Sequence, residues 1–180
     1  MVLTYKQCID KYGSDHMLKK EIAEGRLFQK EKGIYCLSNS CSELEIISAK
    51  YPRAIYTGES AFYYHSLTDV IPDYHYLATV RTDARIKDKR IKQTFLKEEI
   101  FEMGKVRMQY HNTEINIYSL ERMLIELMRF RSRLPFDYYK EIVLSYRNKV
   151  EKMDIAKVEE YAEKFRNAGS LMDMIQMEVL

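Results

Sequence analysis

Between Ser14 and Lys32 the chain concentrates side chains that bind phosphate and base edges. Ser14 is placed to cap a helix over Asp15 to Glu24, and Gly25 to end it. With Leu18 as the reference and about 100° per residue, Ile22 falls about 40° away, so that side packs inward. His16, Lys19, Lys20 and Ala23 then lie on the outer face. A helix entering the major groove presents such residues to DNA: Lys19 and Lys20 to phosphate or guanine, His16 to a base or phosphate. Arg26, Lys30 and Lys32 add positive charge to the β-like segment that follows, where backbone contacts are expected. Glu21, Glu24 and Glu31 oppose that charge, and the competing interpretation is a small helical module with ordinary solvated lysines.

Two further basic groups stand later in the chain. Arg81, Arg85, Lys87, Lys89, Arg90 and Lys92 are opposed only by Asp83 and Asp88. Such a run is either a solvated strand edge or a second surface for DNA or a partner. Arg129, Arg131 and Arg133 gather at a helix C-terminus, where cations complement the helix dipole, and belong to the same candidate second surface.

The residues give no support to catalysis. His16, His65, His75 and His111 have no spacing typical of a metal site or a triad. Cys8, Cys36 and Cys41 argue against both a disulfide framework and a structural zinc site. No phosphate-cradling glycine loop is present, and Gly58-Glu59-Ser60 lacks the following carboxylate pair of a nucleotidyltransferase, so Ser60 reads as a helix cap. Glu121 and Glu126 are five apart and point in different directions on a helix. The expectation is a non-enzyme with no catalytic residue, metal or cofactor. The aromatic concentration at Phe62-Tyr63-Tyr64 and Tyr74-His75-Tyr76 suggests core material, or the lining of a groove.

The elements that position these residues follow from punctuation and periodicity. Helices are expected over 4–12 and 15–24, then β-like stretches at 27–29 and 34–37 around a turn at 30–33. That order is the layout of a minimal winged helix-turn-helix. Residues 39–44 read as a polar linker. Beyond it come a helix over 43–50, strands near 54–56, 74–80 and 91–95, and a hairpin of 105–110 and 113–118 turning at His111-Asn112. The last third is helical: 119–130, a helix after Pro135, one from Asp154, and a terminal helix 171–180 after a break at Gly169-Ser170. The fold class expected is α+β, with residues 1–38 a DNA-binding module and 45–180 a mixed domain ending in a helical bundle.

Composition agrees with a folded chain. The 180 residues are 46% hydrophobic and 31% charged, with a net charge of +2. No apolar run reaches the length of a membrane span, and no signal-peptide segment follows Met1, so a cytoplasmic protein without membrane contact is expected. The small net charge averages unlike parts. Residues 81–97 hold seven cations and two anions, and 150–180 four cations and seven anions.

In their order and spacing, Leu3-Thr4-Tyr5, Gly25-Arg26-Leu27 and Gly33-Ile34-Tyr35 resemble the N-terminal winged helix of the AbiEi family. These are the antitoxins of type IV (AbiE) toxin–antitoxin systems. The central Tyr51-Pro52, Gly58, Ser60-Ala61, His65, Leu67-Thr68-Asp69 and Ile71-Pro72 are also similar to that family. So are Ile117-Tyr118-Ser119, Glu121-Arg122, Glu126, Arg131 and Arg133-Leu134-Pro135. Met123 and Glu126 depart from it, where Thr and Asp are common. The resemblance implies a repressor-antitoxin whose N-terminal module binds double-stranded promoter DNA of its own operon. The larger domain would counter a co-encoded nucleotidyltransferase-like toxin, directly or functionally. Two alternatives remain open: a winged-helix regulator with a ligand- or partner-sensing C-terminal domain, and a cryptic nucleotide-handling enzyme.

Overall fold

The computed structural model describes residues 1–180 as a mixed α+β fold with nine α-helices and two sheets. The chain divides into two compact units, residues 1–53 with 111–113, and 54–110 with 114–180.

The first unit opens with β1 (Val2–Thr4), followed by α1 (Tyr5–Tyr12), α2 (Asp15–Ala23), β2 (Phe28–Glu31), β3 (Ile34–Cys36) and α3 (Glu43–Lys50). Its local signals are strong. Thr4 and Gln7 form a capping box at α1, and Gly13 closes that helix at φ 86°. Ser14 caps α2 through the Met17 amide, and Ser42 with Glu45 boxes α3. The sheet has the order β1-β3-β2, both pairs antiparallel. Cys8, Leu18, Leu27 and Tyr35 form the core beneath the two first helices. The turn between β2 and β3 is shorter than expected: Lys30 and Glu31 lie in β2, leaving Lys32-Gly33, with Gly33 at φ 78°.

Residues 39–44 do not separate the units, because α3 packs on β1 and β3 and joins the first unit. The chain reverses after β3, and Cys36 and Cys41, Cα atoms 6.5 Å apart, are joined as a disulfide. This corrects the expectation drawn from cysteine spacing. Cys8 is a buried free thiol.

The second unit is built on a five-stranded sheet of order β6-β5-β4-β8-β7. Its strands are β4 (Ile55–Tyr56), β5 (His75–Val80), β6 (Ile91–Leu96), β7 (Lys105–Tyr110) and β8 (Thr113–Tyr118). β4 runs antiparallel to β5 and parallel to β8, while β5 and β6 are parallel along their whole length. Helices α4 (Gly58–Tyr64) and α5 (Glu98–Phe101) pack against β5. The helical C-terminal part comprises α6 (Leu120–Phe130), α7 (Phe136–Arg147), α8 (Ile155–Glu163) and α9 (Ala168–Glu178). α6 packs on α4, α8 and α9, so it is buried on every side from Arg122 to Met128. An apolar stripe at Leu120, Met123, Leu124 and Leu127 predicts only one buried face; neighbours on both sides bury the rest.

Two other expectations change. Ser60 is not a cap: Thr57 precedes the helix, and Ser60 is buried inside it. Its hydroxyl donates to the Tyr74 carbonyl and accepts from the Tyr76 amide, tying α4 to the start of β5. Gly169-Ser170 is no break, because α9 already begins at Ala168. No helix is long and apolar enough to cross a membrane.

Candidate nucleic-acid interface

The geometry of α2 is set by one buried residue and one cap. Leu18 is buried against Cys8, Leu27 and Tyr35, while His16, Lys19, Lys20 and Ala23 are exposed. The Tyr5 hydroxyl donates to Asp15 Oδ1 at 2.8 Å, binding the first turn of α2 to α1. That hydrogen bond, with the nearby carboxylate, raises the Tyr5 pKa. The outer face inferred from helical periodicity is therefore the solvent face.

The six candidate DNA-contacting residues are not equivalent. Arg26 donates Nε and Nη2 to the two carboxylate oxygens of Glu21, at 2.8 and 2.7 Å, and is also paired with Glu24. The same bonds lower the Glu21 pKa. Lys20 lies 3.9 Å from Glu24. Lys30 donates to the Asn39 carbonyl at 3.0 Å and to Asn39 Oδ1 at 3.3 Å. Glu31 is paired with Lys50 at 2.8 Å. Lys19 and Lys32 are exposed and make no ion pair, as does His16. The available positive charge therefore sits on α2 and at the turn, and Arg26 is largely neutralised by its own helix.

The second basic run is the connection between two parallel strands. Residues 81–90 carry the chain back from the end of β5 to the start of β6. Parallel strands need such a crossover, and usually a helix supplies it. Here Gln93 of β6 holds the returning chain. It accepts from the Ile86 amide at 2.8 Å and donates to the Ala84 carbonyl and the Thr79 hydroxyl. Arg90 is bound by Asp88 at 2.7 Å. Lys92 lies over the rings of Tyr74 and Tyr76, 4.3 and 5.3 Å from their centroids. Arg85, Lys87 and Lys89 remain exposed.

The third basic group is dispersed. Arg129 donates to Glu126 at 3.2 Å and stacks on Phe165, 4.0 Å from the ring centroid. Arg131 pairs with Glu178 at 2.9 Å, and Arg133 lies over Phe130. Phe165 follows α8 and Glu178 belongs to α9, whereas Glu126 and Phe130 lie on α6 itself.

Periodicity missed the most unusual polar group. Arg122 of α6 is fully buried, and its Nη2 donates to Glu126 Oε1 at 2.5 Å. The rings of Tyr118 and Phe165 lie 5.2 and 5.0 Å from its guanidinium. Nε and Nη1 are buried with no acceptor. Burial lowers the Arg122 pKa, against the opposing attraction of Glu126. The available signal was an Arg and a Glu four apart on an otherwise apolar helix. His, Cys, Asp and Glu side chains form no group of three or more able to hold a metal ion.

Compared with protein-family models and with curated proteins, the chain matches none.

Proposed function

We propose that this chain is a DNA-binding repressor of its own operon and the antitoxin to a co-encoded nucleotidyltransferase-like toxin, as its resemblance to AbiEi antitoxins implies. In this reading the first unit contains a winged helix-turn-helix, with α2 as recognition helix and β2–β3 as the wing. One observation carries it: Lys19, Lys20 and His16 stand exposed on one face of a capped helix whose Leu18 anchors it to the core. The antiparallel β1-β3-β2 sheet beside two capped helices supports the same reading. Phosphate contacts then come from the lysines of α2 and from Lys32, with Arg26 contributing least.

The test uses the full chain and its upstream promoter. The double variant Lys19→Ala, Lys20→Ala should weaken binding, and two lost phosphate contacts should flatten the log K against log salt slope by about 1.8. Unchanged promoter retention would remove α2 from the interface. On co-expression, both the full chain and the double variant should relieve toxicity, because the antitoxin role is assigned to the second unit. Unrelieved toxicity with the full chain would remove the antitoxin assignment.

A second reading is a winged-helix regulator whose second unit senses a small molecule. A cavity of about 540 Å³ beside β5 and β6 favours it. A neighbouring gene for a nucleotidyltransferase-like protein would favour the first reading over it.

A further inference from the structure

The cavity in the second unit has a volume of about 540 Å³, within the range of small-molecule sites. Its walls come from Tyr76 of β5, Arg81 just after that strand, the carboxyl end of β6, α4, α5, the end of α6 and the turn after α8. Two kinds of side chain dominate it. Phe62, Tyr76, Phe95, Phe130 and Phe165 supply aromatic surface. Arg81, Lys97, Lys164 and Arg166 supply positive charge, and none of these four is in an ion pair.

The acidic residues of the lining leave part of that charge uncompensated. Glu126 is held by Arg122 and Arg129. Burial and the nearby Glu59 carboxylate raise the Tyr76 pKa. Glu59 and Glu99 remain to oppose the four cations. Behind Glu126, the buried Arg122 retains two N–H groups, Nε and Nη1, without acceptors, so the wall is more positive than its lining residues alone suggest.

We propose that this cavity binds a nucleotide, with the base among the aromatic side chains and the phosphate groups held by Arg81, Lys97, Lys164 and Arg166. Stacking on aromatic side chains accepts any base face, and charge-assisted bonds from Arg and Lys suit phosphate oxygens. An acyl chain fits the lining less well. It would cover Thr57, Glu59 and the Glu126–Arg129 pair without offering them a hydrogen bond, and burial of unpartnered polar groups is costly. Inorganic phosphate alone would leave the aromatic wall unused. The inference is independent of the DNA-binding reading, which concerns the first unit.

Calorimetric titration of the full chain with AMP, ADP, ATP and their guanine counterparts tests it, with adenosine, guanosine, pyrophosphate and octanoate as comparators. At least one nucleotide should bind saturably at one per chain, about tenfold or more tighter than its nucleoside or pyrophosphate. Lys97→Ala with Arg166→Ala should weaken that binding about tenfold, the loss of charge-assisted contacts, with an unchanged circular dichroism spectrum. Phe95→Ala, at an exposed aromatic position, should weaken it as well. Lys19→Ala with Lys20→Ala should leave it unchanged, which separates the cavity from α2. No saturable binding of any nucleotide would overturn the proposal. So would pyrophosphate or octanoate binding as tightly as the best nucleotide, or cavity variants that bind like the parent chain.

Discussion

Arg122 and Glu126, one turn apart on α6, meet at 2.5 Å inside the second unit, their side chains 0% and 9% exposed. A buried ion pair gains little over an apolar pair of the same shape, yet loses much when one member is removed. The Tyr118 and Phe165 rings lie close to the guanidinium, which is fully buried. Arg129 shares the Glu126 carboxylate, so two guanidinium groups depend on one acid.

Glu126→Gln should therefore destabilise the chain by about 3–5 kcal/mol, the cost of leaving a buried cation without its counter-ion. Arg122→Met with Glu126→Leu should cost less than the single change, because both charges leave together. Urea unfolding of the three chains measures this. A loss below about 1 kcal/mol for Glu126→Gln would mean the pair behaves as a surface ion pair.

Gly104 lies directly against the same arginine. Its φ is +76°, and a Cβ there would stand 2.5 Å from Arg122 Cβ. Its carbonyl also accepts from the Ser119 amide at 2.7 Å, at the entry to α6. Gly104→Ala combines a left-handed backbone cost of about 1–2 kcal/mol with overpacking of about 1–3 kcal/mol. Gly169→Ala is the contrasting change, since a Cβ there meets nothing within 4 Å. Thermal unfolding should show a clear loss for the first and no loss, or a gain of up to about 1 kcal/mol, for the second.

His65 makes the stability of the second unit depend on pH. Its Nε2 lies 2.7 Å from the Tyr118 carbonyl oxygen, which requires a proton on that nitrogen. Burial lowers the His65 pKa below its ordinary 6.5. The unfolded chain then binds the proton more readily than the folded one. Stability is complete above about pH 6.5 and declines as pH falls toward the folded value, by at most about 1.4 kcal/mol per pH unit for one proton. Stability curves between pH 5 and 8 for the parent chain and His65→Gln should differ in slope below 6.5. Equal slopes would show that His65 carries no part of the dependence.

Local chemistry made much of this fold legible before any tertiary contact was known. Ser14, Ser42 and Ser119 each begin a helix because a hydroxyl can accept from an amide three residues on. His111-Asn112 turns a hairpin whose arms alternate, and His111 adopts a φ of 49° there. What stayed hidden depends on distant partners. β1 is three residues long and is a strand only because β3, about thirty residues later, pairs with it. The parallel pairing of β5 with β6 leaves no mark on either sequence. In the candidate interface, spacing grouped Arg26 with Lys19 and Lys20, but the hydrogen bonds that neutralise it come from Glu21 and Glu24. Arg122 was invisible as a buried group because burial on both sides of α6 is set by α4, α8 and α9.

The unequal roles of Arg26 and the lysines lead to a comparison within the DNA-binding reading. Arg26→Ala removes a charge already matched by Glu21 and Glu24, so it should lower promoter affinity less than Lys19→Ala does. Binding isotherms at one fixed salt concentration compare the two directly. A larger loss for Arg26→Ala would mean that DNA displaces the carboxylates and that Arg26 is itself a phosphate contact.

Ser14 tests whether α2 must be held in register to bind. Its hydroxyl accepts from the Met17 amide at 3.3 Å, and it touches neither Lys19 nor Lys20. Ser14→Ala should cost about 1 kcal/mol of stability through the lost cap. Fraying the first turn also loosens His16 and the Asp15 carboxylate that receives the Tyr5 hydroxyl. Promoter affinity should fall although no charge has changed, and the salt slope should stay that of the parent chain. Ser14→Asp keeps a capping acceptor and should restore the stability, while its added negative charge beside α2 keeps promoter affinity below the parent level. If Ser14→Ala lowers stability but leaves promoter affinity intact, α2 does not present its N-terminal turn to DNA.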